Sequence, residues 1–164
     1  MPCALCREDP DTHSFEIITH RLMTERIHVF YSSYKNIKDY SNSETVIRHF
    51  EETFVPIGKE PWGWVIDCKH LSGKHMIHVS LFISVIKLLT AKYSGTQRFI
   101  YLINGGPITN TAILTCKPFM KKTVYDAIVR LYGTPLELFE EFKRQGWSVT
   151  EAEPIIRRIQ KDYA

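Results

Sequence analysis

The sequence predicts a single α/β domain over residues 1–164, with a mostly parallel central sheet flanked by helices. Two short apolar runs, at 64–68 and 98–103, have the β-branched and aromatic content of strands buried on both faces. The segment between them, roughly 74–92, is long enough for a crossover helix. Two buried strands joined by a helix form a βαβ unit, and we expect the rest of the chain to pack around it.

Charge and cysteine usage limit the class of protein. The net charge of +3 is mild, so the sequence lacks the dense basic face typical of a nucleic-acid-binding protein, and we predict no nucleic-acid partner. No signal-peptide pattern opens the chain, and no apolar run approaches the roughly 20 residues of a membrane span. We therefore expect the four cysteines to be reduced, and a cytoplasmic protein that reaches membranes only at their surface.

The first 13 residues are polar, and we expect them to form a loose N-terminus. Within them, Cys3-x-x-Cys6 with His13 and His20 downstream has the residue types of half a zinc site. A second Cys-x-x-Cys or a closely spaced histidine pair would be needed to complete it, and neither is present. We therefore predict no metal ion and no other cofactor.

The elements before the first buried strand are less regular. Residues 15–22 fit a strand or a helix equally well, whereas 26–31 has the composition of a strand. Residues 41–44 match a capping box. Behind it, apolar residues recur at helical spacing and predict a helix of about three turns: Val46, Ile47, Phe50 and Phe54.

The elements after the first buried strand alternate between helix and strand. The crossover helix is apolar on two sides, so more than the sheet must cover it. A second crossover, 108–123, is interrupted by Pro118 and leads to a strand at 127–132. A capping box at 134–137 starts the next helix, and Thr150 starts the last one.

Catalytic motifs are missing from the sequence. It has no glycine-rich dinucleotide or nucleotide motif, no GxSxG and no HExxH. Asp67, at the end of a buried strand, is placed like a catalytic acid, but we favour a role in capping the following turn. His75 and His78 lie three residues apart on the crossover helix, and we interpret them as surface or boundary residues. We predict that the protein is not an enzyme. A small hydrolase that uses Asp67 and a histidine is the least favoured hypothesis.

The order of motifs in 62–133 resembles the CRAL-TRIO domain, the lipid-binding fold of the yeast phosphatidylinositol-transfer protein. Residues 65–72 are similar to the family's strand that ends in aspartate before a Gly-Leu-Ser-like turn. Residues 100–104, with Pro107, are similar to its strand ending in Asn and Pro. The most specific match is Lys117-Pro118-Phe119-Met120, followed by Thr123 and the strand at Ile128.

The resemblance implies a hydrophobic cavity that is floored by the sheet and covered by a movable gate helix. In this sequence the gate corresponds to roughly 108–119. The residues that the resemblance places near the cavity are Val65, Tyr101, Ile103, Ile108, Ile113, Leu114, Phe119 and Met120.

Two functions follow from the resemblance. The first is non-enzymatic binding or transfer of a lipid or another hydrophobic small molecule, with exchange at a peripheral membrane surface. The alternative is a protein-interaction scaffold with a reduced cavity, which binds a small GTPase or self-associates. Three expected departures from the family are a missing helical N-terminal extension, a missing aromatic residue in the gate at 109–112, and Gly146-Trp147 with a further helix in place of the Gly-Gly that often ends the domain. Together they make the sequence similar to the family's divergent, scaffold-like branch.

Overall fold

The computed structural model describes residues 3–164, and its centre is a five-stranded sheet in the order β1-β2-β3-β4-β5. The first two strands are antiparallel and the remaining pairs are parallel, which confirms the predicted α/β class. The strands are β1 (Glu16–Leu22), β2 (Arg26–Ser33), β3 (Trp62–Asp67), β4 (Gln97–Ile103) and β5 (Ile128–Leu131).

Helices cover both faces of this sheet. Within the described residues they are α1 (Ala4–Glu8), α2 (Ser43–Phe54), α3 (Gly73–Met76), α4 (Val79–Lys92), α5 (Pro107–Cys116), α6 (Lys122–Asp126), α7 (Pro135–Arg144) and α8 (Val149–Tyr163). In this part of the chain no helix combines the length and the apolar character needed to cross a membrane.

Each strand contributes to two separate cores, because successive side chains point to opposite faces of the sheet. Trp64 and Ile100 belong to the core under α2, α4 and α5. Their neighbours Val65 and Tyr101 belong to the core under α7 and α8. The continuous apolar runs in β3 and β4 are therefore explained by burial on both sides.

The ambiguous segment 15–22 is a strand. β1 pairs with β2 as an antiparallel hairpin and forms one edge of the sheet. It packs on both cores, through Ile17 on one face and Ile18 on the other. This long-range pairing selects the strand over the helix.

The prediction of a loose N-terminus is corrected for the residues that the structure describes; residues 1 and 2 lie outside them. Residues 4–8 form helix α1, and Cys6 and His13 are buried. Both side chains contact His49 of α2, which is why this polar segment is packed onto the domain.

Of three predicted helix starts, one is confirmed and two are shifted by one residue. Asn42, rather than Ser41, caps α2, because its side chain accepts a hydrogen bond from the Thr45 amide. The box at 134–137 is confirmed, since Thr134 and Glu137 exchange side-chain-to-backbone hydrogen bonds. The last helix begins one residue earlier than predicted, at Val149, and Ser148 caps it.

The crossover is two helices rather than one. α3 ends at Met76 and α4 starts at Val79, and Ser72 with His75 forms a capping box at the start of α3. His75 is fully buried beneath the rings of Tyr34 and Tyr40, which corrects its interpretation as a surface or boundary residue.

Candidate functional site

A cavity of about 140 Å³ lies between one face of the sheet and helices α2, α4 and α5. Most of its wall is apolar. The main contributors from the strands and helices are Trp64, Ile66, Ile100, Leu102, Val46, Phe50, Leu81, Phe82, Val85 and Ile86. Most of these side chains belong to the core on this face, and the cavity is partly open to the surface.

Helix α5 closes one side of the cavity. Thr109, Ala112, Ile113 and Cys116 line it, and their spacing places all four on one stripe of the helix. The helix also packs on α3 and α4. Gly105 and Gly106 come directly before it, and the helix therefore begins after a flexible pair of residues.

The polar groups in the cavity wall are mostly uncharged at neutral pH. Burial raises the pKa of the Cys68 thiol to about 12 and that of the Cys116 thiol to about 11. Burial also raises the pKa of the Tyr34 phenol well above its ordinary value. The hydroxyl of Ser32 accepts a hydrogen bond from the Trp64 indole at 2.9 Å. Away from the end formed by His13 and Asp39, the cavity wall is apolar and matches an apolar ligand.

Two of the eight sequence-predicted site residues, Ile113 and Met120, line this cavity. Val65, Tyr101 and Ile103 lie in the core on the other face of the sheet, so their predicted place at the cavity is corrected. Each of these residues is the direct neighbour of one that does line the cavity, so the prediction chose the wrong face of the sheet. A strand buried on both faces gives no sign of which face holds a cavity.

The other three predicted residues lie on the outside of the same region. Ile108, Leu114 and Phe119 are 38%, 64% and 37% exposed, and none of them is in the cavity wall. Leu114 follows Ile113 directly, but the helical repeat turns the two side chains away from each other. Helix α5 and the turn after it therefore have apolar side chains on the inner and the outer side.

Sequence reasoning missed most of the cavity wall. Trp64, Ile66, Ile100 and Leu102 were recognisable as one face of β3 and β4, but nothing in the pattern distinguishes that face. The loop residues Tyr34, Ile37 and Tyr40 also line the cavity. They lie in a segment that has no periodic pattern, so no sequence signal could have identified them.

A second depression, of about 380 Å³, involves Tyr101 on the other face. Arg21, Glu25 and Arg98 take part in its wall, and a salt bridge joins Arg98 to Glu25 at 2.5 Å. These charged groups make it a poorer match to an apolar ligand than the first cavity.

Asp67 is fully buried and has a structural role. Its Oδ1 accepts hydrogen bonds from the Lys69 amide at 3.1 Å and from the Tyr163 hydroxyl at 3.0 Å. Burial raises the pKa of the Asp67 carboxyl above its ordinary value. Within the described residues its hydrogen-bond partners are tyrosines and a backbone amide, so the aspartate–histidine pair of the hydrolase hypothesis is not formed.

Four side chains of the kinds that bind metal ions lie close together beside the cavity. The sulfur and nitrogen atoms of Cys3, Cys6, His13 and His49 all lie within 4.8 Å of one another. Three of these residues, Cys3, Cys6 and His13, are among the sequence candidates, and the fourth, His49, comes from α2. His20, the other candidate in the sequence, lies on β1, where its ring contacts that of His28.

The fold and the cavity define an α/β module with an apolar interior on one side of its sheet. Residues 29–145 match the model of the CRAL/TRIO domain, and the chain therefore belongs to that family. The resemblance inferred from the motifs is confirmed.

A solved structure and the curated proteins complete the comparison. The crystal structure of Sfh5 is similar to this chain, with a TM-score of 0.61 over 75% of this chain and 48% of Sfh5. The two sequences are 15% identical, so the likeness concerns the fold. This chain thus spans about half the length of that relative. No curated protein matches the sequence.

Proposed function

We propose that this protein binds the apolar part of a lipid, or a comparable hydrophobic small molecule, in the cavity beneath α5, without catalysis. The observation that carries the proposal is the mostly apolar stripe of α5, which closes a cavity whose wall is apolar away from the end formed by His13 and Asp39. Burying apolar surface contributes roughly 25 cal/mol per Å², which is the driving force available to such a site. Membership of the CRAL/TRIO family supports the same ligand class.

The volume of the cavity implies that α5 moves. A cavity of about 140 Å³ is close to the roughly 150 Å³ of an engineered cavity that holds benzene, and smaller than ordinary ligand pockets of about 300–1,000 Å³. A lipid chain therefore requires α5 to shift outward. The glycine pair before the helix and Pro118 after it are the positions at which we expect the backbone to bend.

We infer that α5 opens at a membrane surface in the cytoplasm. Its outer side exposes Ile108 and Leu114, and Phe119 follows in the next turn. Lys117 and Lys121 are exposed close by in the sequence, and each lysine near an anionic surface contributes about 1 kcal/mol of attraction. Apolar contact with the membrane offsets the exposure of the inner stripe during opening.

The test is lipid loading measured by native mass spectrometry. The purified protein is incubated with phosphatidylcholine vesicles containing phosphatidylinositol, separated from them and weighed with its bound lipid. We expect one lipid per chain. Ala112→Phe fills the cavity and should abolish loading, whereas Thr111→Phe, on the exposed side of the same helix, should retain it. Loading that survives Ala112→Phe would place the lipid elsewhere and overturn the proposal.

The small cavity volume also favours the alternative, a protein-interaction scaffold that self-associates or binds a small GTPase. In that case the wild type loads no lipid from vesicles, and Ala112→Phe changes nothing but stability. Sedimentation of the purified protein and binding to an immobilised small GTPase then test the scaffold directly. A monomer that binds neither lipid nor GTPase would contradict both functions.

A further inference from the structure

We propose that Cys3, Cys6, His13 and His49 bind one Zn²⁺ ion in a closed, structural site. Thiolate sulfur and imidazole nitrogen are the ligands that zinc prefers, and two of each is a common set in structural zinc sites. This site is independent of the lipid proposal.

The distances between the ligand atoms fit a tetrahedral ion. With Zn–S of about 2.3 Å and Zn–N of about 2.0 Å, tetrahedral geometry separates sulfur and nitrogen ligands by roughly 3.5 Å. The His13 Nδ1 atom is 3.5 Å from Cys3 Sγ and 3.3 Å from Cys6 Sγ. The His49 Nδ1 atom is 3.7 Å from Cys6 Sγ. The remaining ligand atoms are no more than 4.8 Å apart, so the four side chains converge closely enough to hold one ion.

Both histidines are oriented as metal ligands are. In each of them Nδ1 faces the cysteines while Nε2 is engaged on the far side of the ring. His13 Nε2 lies 3.0 Å from the Asp39 carboxylate, and His49 Nε2 lies 2.8 Å from the Phe15 carbonyl oxygen. Such acceptors hold the proton on Nε2 and leave Nδ1 free to bind a metal, which is the arrangement found around most metal-bound histidines.

The cysteine pair is arranged by α1. Cys3 caps this helix, and the Cys6 amide donates a hydrogen bond to Cys3 Sγ at 3.4 Å. The Cys-x-x-Cys spacing thereby brings both sulfurs to one side of a single helical turn. The cluster is largely closed to solvent, with Cys6 7%, His13 4% and His49 2% exposed. Four protein ligands without an open position indicate a structural rather than a catalytic ion.

Zinc would connect two distant parts of the chain. Three ligands come from the N-terminal segment and the fourth from α2. Because His13 and Asp39 also line the cavity, the ion would fix one end of the cavity wall. Metal binding would thus supply much of the free energy that folds residues 3–13 onto the domain.

The test is metal analysis of the untagged protein, purified under reducing conditions. We expect about one zinc per chain by inductively coupled plasma mass spectrometry. Cys6→Ser and His49→Ala should each lose it, and Cys116→Ser, a buried cysteine outside the cluster, should keep it. Should a cluster variant fail to fold, X-ray absorption of the wild type gives the ligand set directly, and we expect two sulfurs and two nitrogens.

Four results would overturn the proposal. The reduced wild type could contain no metal and fail to bind added Zn²⁺ in calorimetry. Zinc could remain in both Cys6→Ser and His49→Ala. X-ray absorption could show that only nitrogen and oxygen atoms bind the zinc. A mass lowered by two hydrogens in the wild type but not in Cys6→Ser, together with no zinc uptake after reduction, would overturn the proposal in favour of a disulfide that involves Cys6.

Discussion

The side chain of Asn104 exchanges two hydrogen bonds with the backbone of Gly133. Its Nδ2 donates to the Gly133 carbonyl at 2.9 Å, and its Oδ1 accepts from the Gly133 amide at 2.8 Å. Asn104 follows β4 and Gly133 follows β5, so the pair ties two strand ends together. Nδ2 also donates to the Tyr163 hydroxyl at 2.7 Å, which in turn donates to Asp67 at the end of β3. One asparagine thus joins three strands and α8.

Asn104→Ala should destabilise the domain by about 2–3 kcal/mol, since the partly buried amide and carbonyl of Gly133 lose their side-chain partner. The loss is measured by urea unfolding. Asn36→Ala, an exposed loop position, is the control and should change stability by less than about 0.5 kcal/mol. Equal stabilities of the two variants would show that the pair is dispensable.

Arg130→Ala should speed the exchange of bound lipid without much change in stability. The Arg130 guanidinium donates a hydrogen bond to Asn110 and so holds α5 against β5 from outside. Because the contact is exposed, its loss costs less than about 1 kcal/mol of unfolding free energy. Stopped-flow transfer of a fluorescent lipid between vesicles measures the rate, which we expect to rise several-fold. Lys122→Ala, which breaks an ion pair inside α6, is the control. Equal rates would mean that this contact does not restrain the gate.

Gly63→Ala should destabilise the protein by about 1–3 kcal/mol through overpacking. The added methyl group would overlap the Phe99 ring on the adjacent strand. Gly95→Ala is the matched control, because open space surrounds that position and its effect should be small. Thermal unfolding compares the two variants. The double variant Gly63→Ala with Phe99→Leu should be more stable than the sum of the two single losses predicts. If the two losses of stability simply add, the overpacking mechanism is contradicted.

Asp67→Asn should change how stability depends on pH. Burial raises the folded-state pKa of Asp67 above its unfolded value, so the folded protein holds this proton more tightly. The contribution of Asp67 to stability is therefore largest at low pH. It falls as the pH rises from the unfolded pKa, near 3.8, through the raised folded pKa. Asparagine does not titrate, so the variant should lack this fall.

The prediction is checked by urea unfolding of both proteins at pH 4 and pH 7. We expect the variant to gain stability relative to the wild type between these values. The asparagine Oδ1 can still accept from Lys69 and Tyr163, which both contact Oδ1 of Asp67. Asp126→Asn, at a more exposed carboxylate on α6, serves as the control. A variant whose stability relative to the wild type falls from pH 4 to pH 7 would contradict the sign.

Local patterns were enough to predict much of the fold. The apolar runs of β3 and β4, the helical segment between them and the Lys-Pro-Phe element depend on neighbours in the sequence. All of them lie close to where they were predicted, although the helical segment is divided into α3 and α4. The predicted gate, 108–119, coincides with α5 and the 3₁₀ turn Lys117–Phe119 that follows it. The break between α3 and α4 was not predicted, and neither was the burial of His75 beneath two tyrosines from a distant loop, because that contact is remote in sequence.

The sequence by itself determined the class of fold, the family and the order of strands and helices around β3 and β4, because these follow from residue spacing and local chemistry. Only the tertiary structure decided which face of the sheet contains the cavity. A strand buried on both sides has an apolar residue at every position, and its period of two then carries no information about the face. The same holds for the cysteine–histidine cluster, since Cys6 and His49 are 43 residues apart and meet only when α1 packs on α2.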